Sequence, residues 1–128
     1  MMKRIKNRYA KLSNGQILSV HFDCCKNFHK QGTISYFPTI IIGKSKHKDN
    51  DWLNPRYRNR SYRITGECGL EGVLKAKKIL NEFMDLHKGI HLKIMQIEGY
   101  DKRRTSAYRI LTNDGFMELY DGVYVKEF

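Results

Sequence analysis

The stretch TGECGLEGVLKAKKILNEFMDLH, residues 65–87, joins a loop with three glycines to the most helix-like segment of the chain. Apolar residues recur at helical spacing with charged residues on the opposite side, which predicts an amphipathic helix over residues 70–87. Gly89 follows as a helix stop. A glycine-rich loop at a helix start is a common phosphate cradle, and it is equally a tight turn that packs closely and binds nothing. The sequence leaves both interpretations open.

Three strand patterns precede this helix. Residues 16–23 alternate apolar and polar side chains, residues 33–43 are rich in β-branched and aromatic residues, and residues 56–65 alternate again. Within the second pattern, Pro38 has no backbone N–H to donate, which predicts either an edge position or a bulge that splits the strand. We therefore expect three strands before the helix.

The sequence after the helix predicts one more helix and three more strands. Residues 91–99 have the pattern of a mostly buried strand, and Asp101 is suited to cap a helix that runs to about Asp114. Asp121-Gly122 between two β-rich arms predicts a hairpin. The expected order is β-β-β-α-β-α-β-β, an α/β (α+β) fold with a mixed, mostly antiparallel sheet and two helices.

The length of 128 residues fits a single domain over residues 1–128. Residues 1–15 are a basic N-terminal segment that we expect to be partly disordered. No apolar run follows the first basic residues, and the longest apolar tract, FPTIIIG, is far shorter than the roughly 20 residues of a membrane span. The three cysteines include the adjacent pair Cys24 and Cys25, and their odd number argues against a disulfide framework. These features predict a reduced, cytoplasmic protein with no membrane association.

Two histidines and two cysteines gather in HFDCCKNFH, residues 21–29. Zinc sites usually space their cysteines by two to four residues, so that both can point at one ion. Adjacent cysteines on a strand face opposite sides of the sheet. We therefore predict no metal site.

The formal net charge of +11 is concentrated in the first half of the chain. Up to Arg63 there are 14 Lys and Arg against 3 Asp and Glu, and from Ile64 onward there are 10 of each. Such an excess strengthens encounters with polyanions, so we expect an acidic protein or a nucleic acid as the partner. A surface that only keeps the protein in solution is the alternative.

The residues expected to contact that partner lie between the second and third strand patterns and within the third. Alternating arginines on a strand share one face, and lysines and a tryptophan from the preceding polar loop extend that surface. Arginine beside exposed aromatic side chains is typical of proteins that bind single-stranded nucleic acid. No RNP motif, helix-turn-helix signature or zinc-finger spacing accompanies them. The candidate residues are Lys44, Lys46, Lys48, Trp52, Arg56, Arg58 and Arg60.

The element order and two local stretches resemble the C-terminal portion of the GNAT-type N-acetyltransferase superfamily. In that family a Q/R-x-x-G-x-G/A loop opens the central helix, and GECGLE, residues 66–71, is in that register with Gly69 matching. The family then has a short helix of form N-x-x-A-x-x-x-Y-x-x-x-G-F, and RTSAYRILTNDGF aligns Ala107, Gly115 and Phe116 with it. The resemblance implies that the loop opens into a cleft between two diverging parallel strands.

The resemblance also implies acetyl-coenzyme A as the cofactor, with its pyrophosphate on the loop and its other phosphates near the start of the second helix. Glu67 and Glu71 place negative charge at the helix start, where a bound phosphate requires that nearby cations neutralise it. The cofactor-binding residues on this hypothesis are Arg63, Gly66, Gly69, Leu70, Gly72, Lys102, Arg103 and Arg104.

Several family positions are changed in this chain. Gly66 replaces the Gln or Arg, Glu71 takes the small-residue position, and Arg104 replaces the Asn. Leu111 replaces the Tyr often used as general acid, and the strand expected before the loop offers no carboxylate base. These changes favour a catalytically degenerate binding or modulator module, of a kind often carried by phages and mobile elements. The alternatives are an acetyl-coenzyme A-dependent N-acetyltransferase and a nucleic-acid-binding domain whose likeness to the family is accidental.

Overall fold

The structure, a computed structural model, describes residues 2–43, 69–98, 109–120 and 122–128. Residues 109–111 are helical. Within the described ranges the fold is α+β, with a six-stranded mixed sheet in the order β1-β2-β3-β4-β6-β5. The elements in chain order are β1 (Lys3–Lys11), β2 (Ile17–Lys26), β3 (Ile34–Gly43), α1 (Gly69–His87), β4 (Lys93–Glu98), β5 (Met117–Tyr120) and β6 (Val123–Glu127).

The first three strands are antiparallel neighbours. β1 pairs with β2 and has a bulge between Arg4 and Lys6. β2 and β3 pair without interruption over ten residues of each strand. Gly15 has φ +86° in the turn between β1 and β2, a backbone conformation that glycine adopts without strain.

The third and fourth strands are parallel and pair only at their beginnings. The paired residues are Ile34–Tyr36 on β3 and Lys93–Met95 on β4. Residues 37–43 and residues 96–98 continue in strand conformation without pairing to each other. Parallel strands need a crossover connection, and α1 lies in the chain between these two.

The core lies between α1 and one face of the sheet. α1 presents its apolar stripe to alternating residues of β2, so that Phe83 stacks on Phe22 with ring centroids 3.9 Å apart. Phe83 also meets Tyr36 of β3 edge-on, at 5.0 Å. The fully buried side chains of this core include Leu18, Val20, Phe22, Ala76, Leu80, Phe83, Met95 and Ile97.

Most of the predicted elements in the described ranges are confirmed. The helix predicted over residues 70–87 is α1, and the patterns at residues 16–23, 33–43 and 91–99 form β2, β3 and β4. The predicted hairpin is present as the antiparallel strands β5 and β6, with Gly122 at φ +79°. Leu111, expected to face inward, is 4% exposed. The third predicted strand, residues 56–65, and residues 101–108 of the second predicted helix lie outside the described residues.

The N-terminal segment contains a strand that the sequence did not predict, because residues 3–11 form the edge strand β1. The sequence of this segment lacks the apolar alternation that identifies strands. In the structure, β1 contains a bulge, and its exposed and half-buried residues do not alternate regularly. Its two arginines, Arg4 and Arg8, form ion pairs with carboxylates, and this pairing allows cationic side chains to occupy half-buried positions.

The prediction for Pro38 is wrong for the strand as a whole, because β3 is continuous and lies between β2 and β4. Its pairing with β4 nevertheless ends at Tyr36, two residues before Pro38. The missing N–H therefore falls in the part of β3 that does not pair with β4, where its absence costs no β3–β4 ladder bond.

Candidate functional site

The candidate site is the gap between β3 and β4, together with the beginning of α1 beside it. The first turn of α1 packs on the end of β3, because a Cβ added at Gly72 would lie 2.6 Å from Ile42 Cδ1. A side chain at this position would therefore require the terminal methyl group of Ile42 to move. Gly72, predicted to bind a phosphate, has a packing role that explains its presence.

Two buried polar side chains lie on the sheet face opposite α1, Ser35 within the paired part of β3 and Gln96 just beyond the paired part of β4. Ser35 is fully buried and Gln96 is 2% exposed. Ser35 Oγ and Gln96 Oε1 have no hydrogen-bond partner among the described residues. Gln96 donates through Nε2 to the Glu98 carboxylate at 2.9 Å. A buried polar atom without a partner costs about 1–3 kcal/mol, so these two atoms are suited to receive a ligand's polar groups.

The unpaired parts of β3 and β4 have backbone groups that make no ladder bond between these two strands. Backbone N–H and C=O groups are strong hydrogen-bonding groups that seek a partner when buried. In peptide recognition, an added strand pairs with such groups. The Ser35 hydroxyl both donates and accepts hydrogen bonds, and Gln96 Oε1 accepts.

The Glu71 carboxylate, which supplies the negative charge predicted at the helix start, already has hydrogen-bond and ion-pair partners within the protein. Glu71 accepts hydrogen bonds from the backbone N and the Oγ of Ser13, at 2.9 and 2.6 Å. Lys75 Nζ lies 3.1 Å from the same carboxylate. The Ser13 hydroxyl, with Lys75 and the Ser13 N–H, lowers the pKa of Glu71 to about 2. The hydrogen bonds of Glu71 thus link α1 to the turn between β1 and β2, and Lys75 neutralises the charge of the Glu71 carboxylate.

The structure describes only part of the predicted sites. Gly69 begins α1, and Leu70 is 63% exposed at the same helix start. The remaining predicted cofactor residues, Arg63, Gly66, Lys102, Arg103 and Arg104, lie outside the described residues. The predicted partner surface, Lys44, Lys46, Lys48, Trp52, Arg56, Arg58 and Arg60, lies outside them as well.

Two titratable side chains of β2 are engaged in structural contacts. Asp23 forms an ion pair with Arg4 at 2.6 Å, and His21 Nδ1 lies 2.6 Å from Asn7 Oδ1. At the gap itself, β3 carries no carboxylate, and Glu98 at the end of β4 accepts the hydrogen bond from Gln96. Leu111, which the resemblance aligns with a tyrosine, is part of the core.

Ser35 and Gln96 were missed by sequence reasoning. The only signal is that Gln96 is a lone polar residue inside the apolar run of KIMQIE, which places an amide on a buried strand. The sequence contains no indication that the Gln96 carbonyl oxygen lacks a partner, because that depends on tertiary contacts on this face of the sheet.

No protein-family model, curated protein or solved structure matches the chain. The GNAT resemblance, the cytoplasmic location and the phage or mobile-element origin therefore stay predictions. In the described ranges, no helix combines the length and apolar character that crossing a bilayer requires. Across the same residues, His, Cys, Asp and Glu side chains form no group of three that could hold a metal ion.

Proposed function

We propose that this protein is a GNAT-like module that binds a coenzyme A-type ligand between β3 and β4, and that it lacks the family's catalytic groups. The observation that carries the proposal is the limited pairing of β3 and β4, which stops after three residues. A diverging parallel pair beside the start of the central helix is the feature that the resemblance implies. The pantetheine part of coenzyme A is an extended chain with two amides, which suits such a gap.

The buried polar atoms support a polar ligand at this position. Ser35 Oγ and Gln96 Oε1 have no described partner, and both side chains are almost fully removed from solvent. The first N–H groups of α1 lack acceptors within the helix, and the neutralised Glu71 leaves the positive end of the helix dipole available to an anion. The phosphates of coenzyme A would be directed to that end.

Binding without catalysis is favoured by the residues at the gap. The resemblance aligns the buried Leu111 with the usual general acid, and the strand predicted over residues 56–65 contains no carboxylate. Glu98, the carboxylate at the end of β4, is engaged by Gln96. Transfer of an acyl group from a thioester needs mainly proximity and a neutral amine, so turnover is a direct measurement to make alongside binding. Acetylation of a polyamine or peptide amine at a rate above buffer would favour the N-acetyltransferase alternative.

The test is the thermal stability of the protein with and without coenzyme A. Saturation at 100 times the dissociation constant adds about 2.7 kcal/mol to the free energy of unfolding, which raises the melting temperature by several degrees. Gln96→Leu removes the buried carbonyl oxygen and should abolish most of this shift. Gln16→Leu, the same change in the turn between β1 and β2, is the matched control and should keep it.

Two results would contradict the proposal. The first is no shift for the natural chain at millimolar coenzyme A. The second is an equal shift for the natural chain and for Gln96→Leu, which would place the ligand elsewhere on the protein.

A further inference from the structure

The edge strand β1 carries five basic residues. Its two arginines form ion pairs, and its three lysines form none with the described residues. Arg4 forms an ion pair with Asp23 at 2.6 Å, and Arg8 forms one with Glu82 of α1 at 2.9 Å. Both arginines therefore connect β1 to its own protein. The guanidinium is suited to such fixed pairs with a carboxylate.

The three lysines of β1 form no ion pair with any described residue. Lys3, Lys6 and Lys11 are all exposed, and residues 2–11 contain no acidic residue. The three lie along the outermost strand of the sheet, and Lys3 and Lys11 are about 26 Å apart at ~3.3 Å per residue. We call these three residues the lysine edge. It is a line of positive charge that the described protein does not neutralise.

The lysine edge is a poor template for a second strand. Lysines and bulges on an edge strand are the features that prevent another chain from pairing with it, and β1 has both. The opposite edge, β5, is different, because Met117, Leu119 and Tyr120 are exposed there and Glu118 is its one charged residue. An extended acidic peptide is therefore disfavoured as the occupant of β1.

We propose that the lysine edge binds the phosphate backbone of a nucleic acid, independently of sequence. Lysine is depleted at the centre of protein–protein interfaces, whereas interfaces with nucleic acid are polar and strongly basic. Three lysines spread along one edge strand can contact phosphates several nucleotides apart and release their counterions. Lys3 and Lys6 pair with Cys24 and Phe22 on the face that carries α1, and Lys11 pairs with Ile17 and extends from the other face of the same edge. The site is separate from the gap between β3 and β4, since β2 lies between them, so it does not depend on the coenzyme A proposal.

The test measures binding of a fluorescent single-stranded DNA of about 15 nucleotides by anisotropy, over a series of salt concentrations. Each phosphate contact contributes about −0.7 to the slope of log K against log salt for single strands, so Lys6→Gln/Lys11→Gln should make the slope shallower by about 1.4. Lys30→Gln/Lys78→Gln removes the same charge from two exposed lysines away from β1, in the turn between β2 and β3 and on α1, that form no ion pair with described residues, and is the matched control. The control should keep the slope of the natural chain.

The expected result is a linear salt dependence that only the β1 variant weakens, with unchanged melting temperatures for both variants. An equal loss for both variants would overturn the proposal, because it would indicate attraction by net charge alone. Absence of binding at low salt would overturn it too. Displacement of the DNA by polyglutamate at equal total charge, with the same sensitivity to the β1 variant, would assign the lysine edge to acidic proteins instead. A duplex of the same length distinguishes double-stranded from single-stranded targets.

Discussion

β3 has two neighbours in the sheet, and it pairs with them to different extents. It pairs with β2 over ten residues and with β4 over three. The β2–β3 pair is antiparallel and joined directly by residues 27–33, so pairing can extend from that connection along both strands. The β3–β4 pair is joined through α1, which packs its first turn on Ile42 and stacks Phe83 on Phe22. The helix is thus fixed to β2 and β3, and β4 meets β3 only at its beginning.

The two pairings of β3 differ in how completely the backbone groups satisfy one another. Between β2 and β3 the ladder is continuous, and Phe83 covers the pair. Between β3 and β4 the ladder stops after three residues, and the buried atoms Ser35 Oγ and Gln96 Oε1 have no described partner. A fold keeps such buried polar atoms at a cost in stability, so each of them needs an explanation.

Phe83→Ala should have the largest effect, because Phe83 contacts both Phe22 on β2 and Tyr36 on β3. Loss of a fully buried aromatic ring from a packed core destabilises by about 3–5 kcal/mol. Chemical denaturation with guanidinium measures the change in the free energy of unfolding. Leu86→Ala, at a position 69% exposed on the same helix, is the control and should change stability by less than about 0.5 kcal/mol. Similar losses for both variants would mean that α1 does not hold the β2–β3 pair through Phe83.

Gly72→Ala should destabilise by about 1 kcal/mol, since the clash with Ile42 Cδ1 outweighs the better helix propensity of alanine. Ile42→Val deletes that same methyl group. In the double variant the clash is gone, so the two effects should deviate from additivity by about 1 kcal/mol. Simple additivity in urea unfolding would show that the start of α1 does not depend on this contact with β3.

Ser35→Ala and Ser19→Ala compare a buried serine without a described partner with one that has a partner. Both serines are fully buried and lie in paired parts of the sheet, Ser35 on β3 and Ser19 on β2. Without ligand, Ser35→Ala should be neutral or stabilising by up to about 1 kcal/mol, and Ser19→Ala should destabilise by about 0.5–1.5 kcal/mol. Melting temperatures of the two variants measure the difference. A clear loss of stability for Ser35→Ala would mean that its hydroxyl is satisfied and that the gap is not a polar site.

Glu71 should give the smallest effect, in the pH dependence of stability. Its pKa is about 2 in the folded protein against an ordinary value of 4.5, because Ser13 and Lys75 stabilise the carboxylate. The unfolded state binds the proton at higher pH, so this contribution is complete above about pH 4.5 and is lost as the pH falls toward 2. Glu71→Gln should flatten the stability profile within that window.

Ser13→Ala is the companion variant, because it removes the largest cause of the shift. The pKa of Glu71 should then rise toward its ordinary value, as followed by a carboxyl NMR titration. An unchanged pKa in Ser13→Ala would show that the link between α1 and the turn between β1 and β2 is absent in solution.

The sequence by itself determined the elements with strong periodicity. The apolar stripe of α1 and the alternation in β2 follow from the geometry of helix and strand, and Asp121-Gly122 identifies the hairpin because glycine adopts positive φ without strain. The total charge and its concentration before Ile64 also follow from the sequence alone.

Only the tertiary structure decided which strands are neighbours and how far they pair. β1 became an edge strand through pairing with β2, although its own residues show no regular alternation. The partners of Glu71 and the missing partners of Ser35 and Gln96 depend on contacts between residues far apart in the chain. The periodicity of apolar residues indicates which side of a helix or strand is buried. It does not indicate which residues of the protein pack against that side.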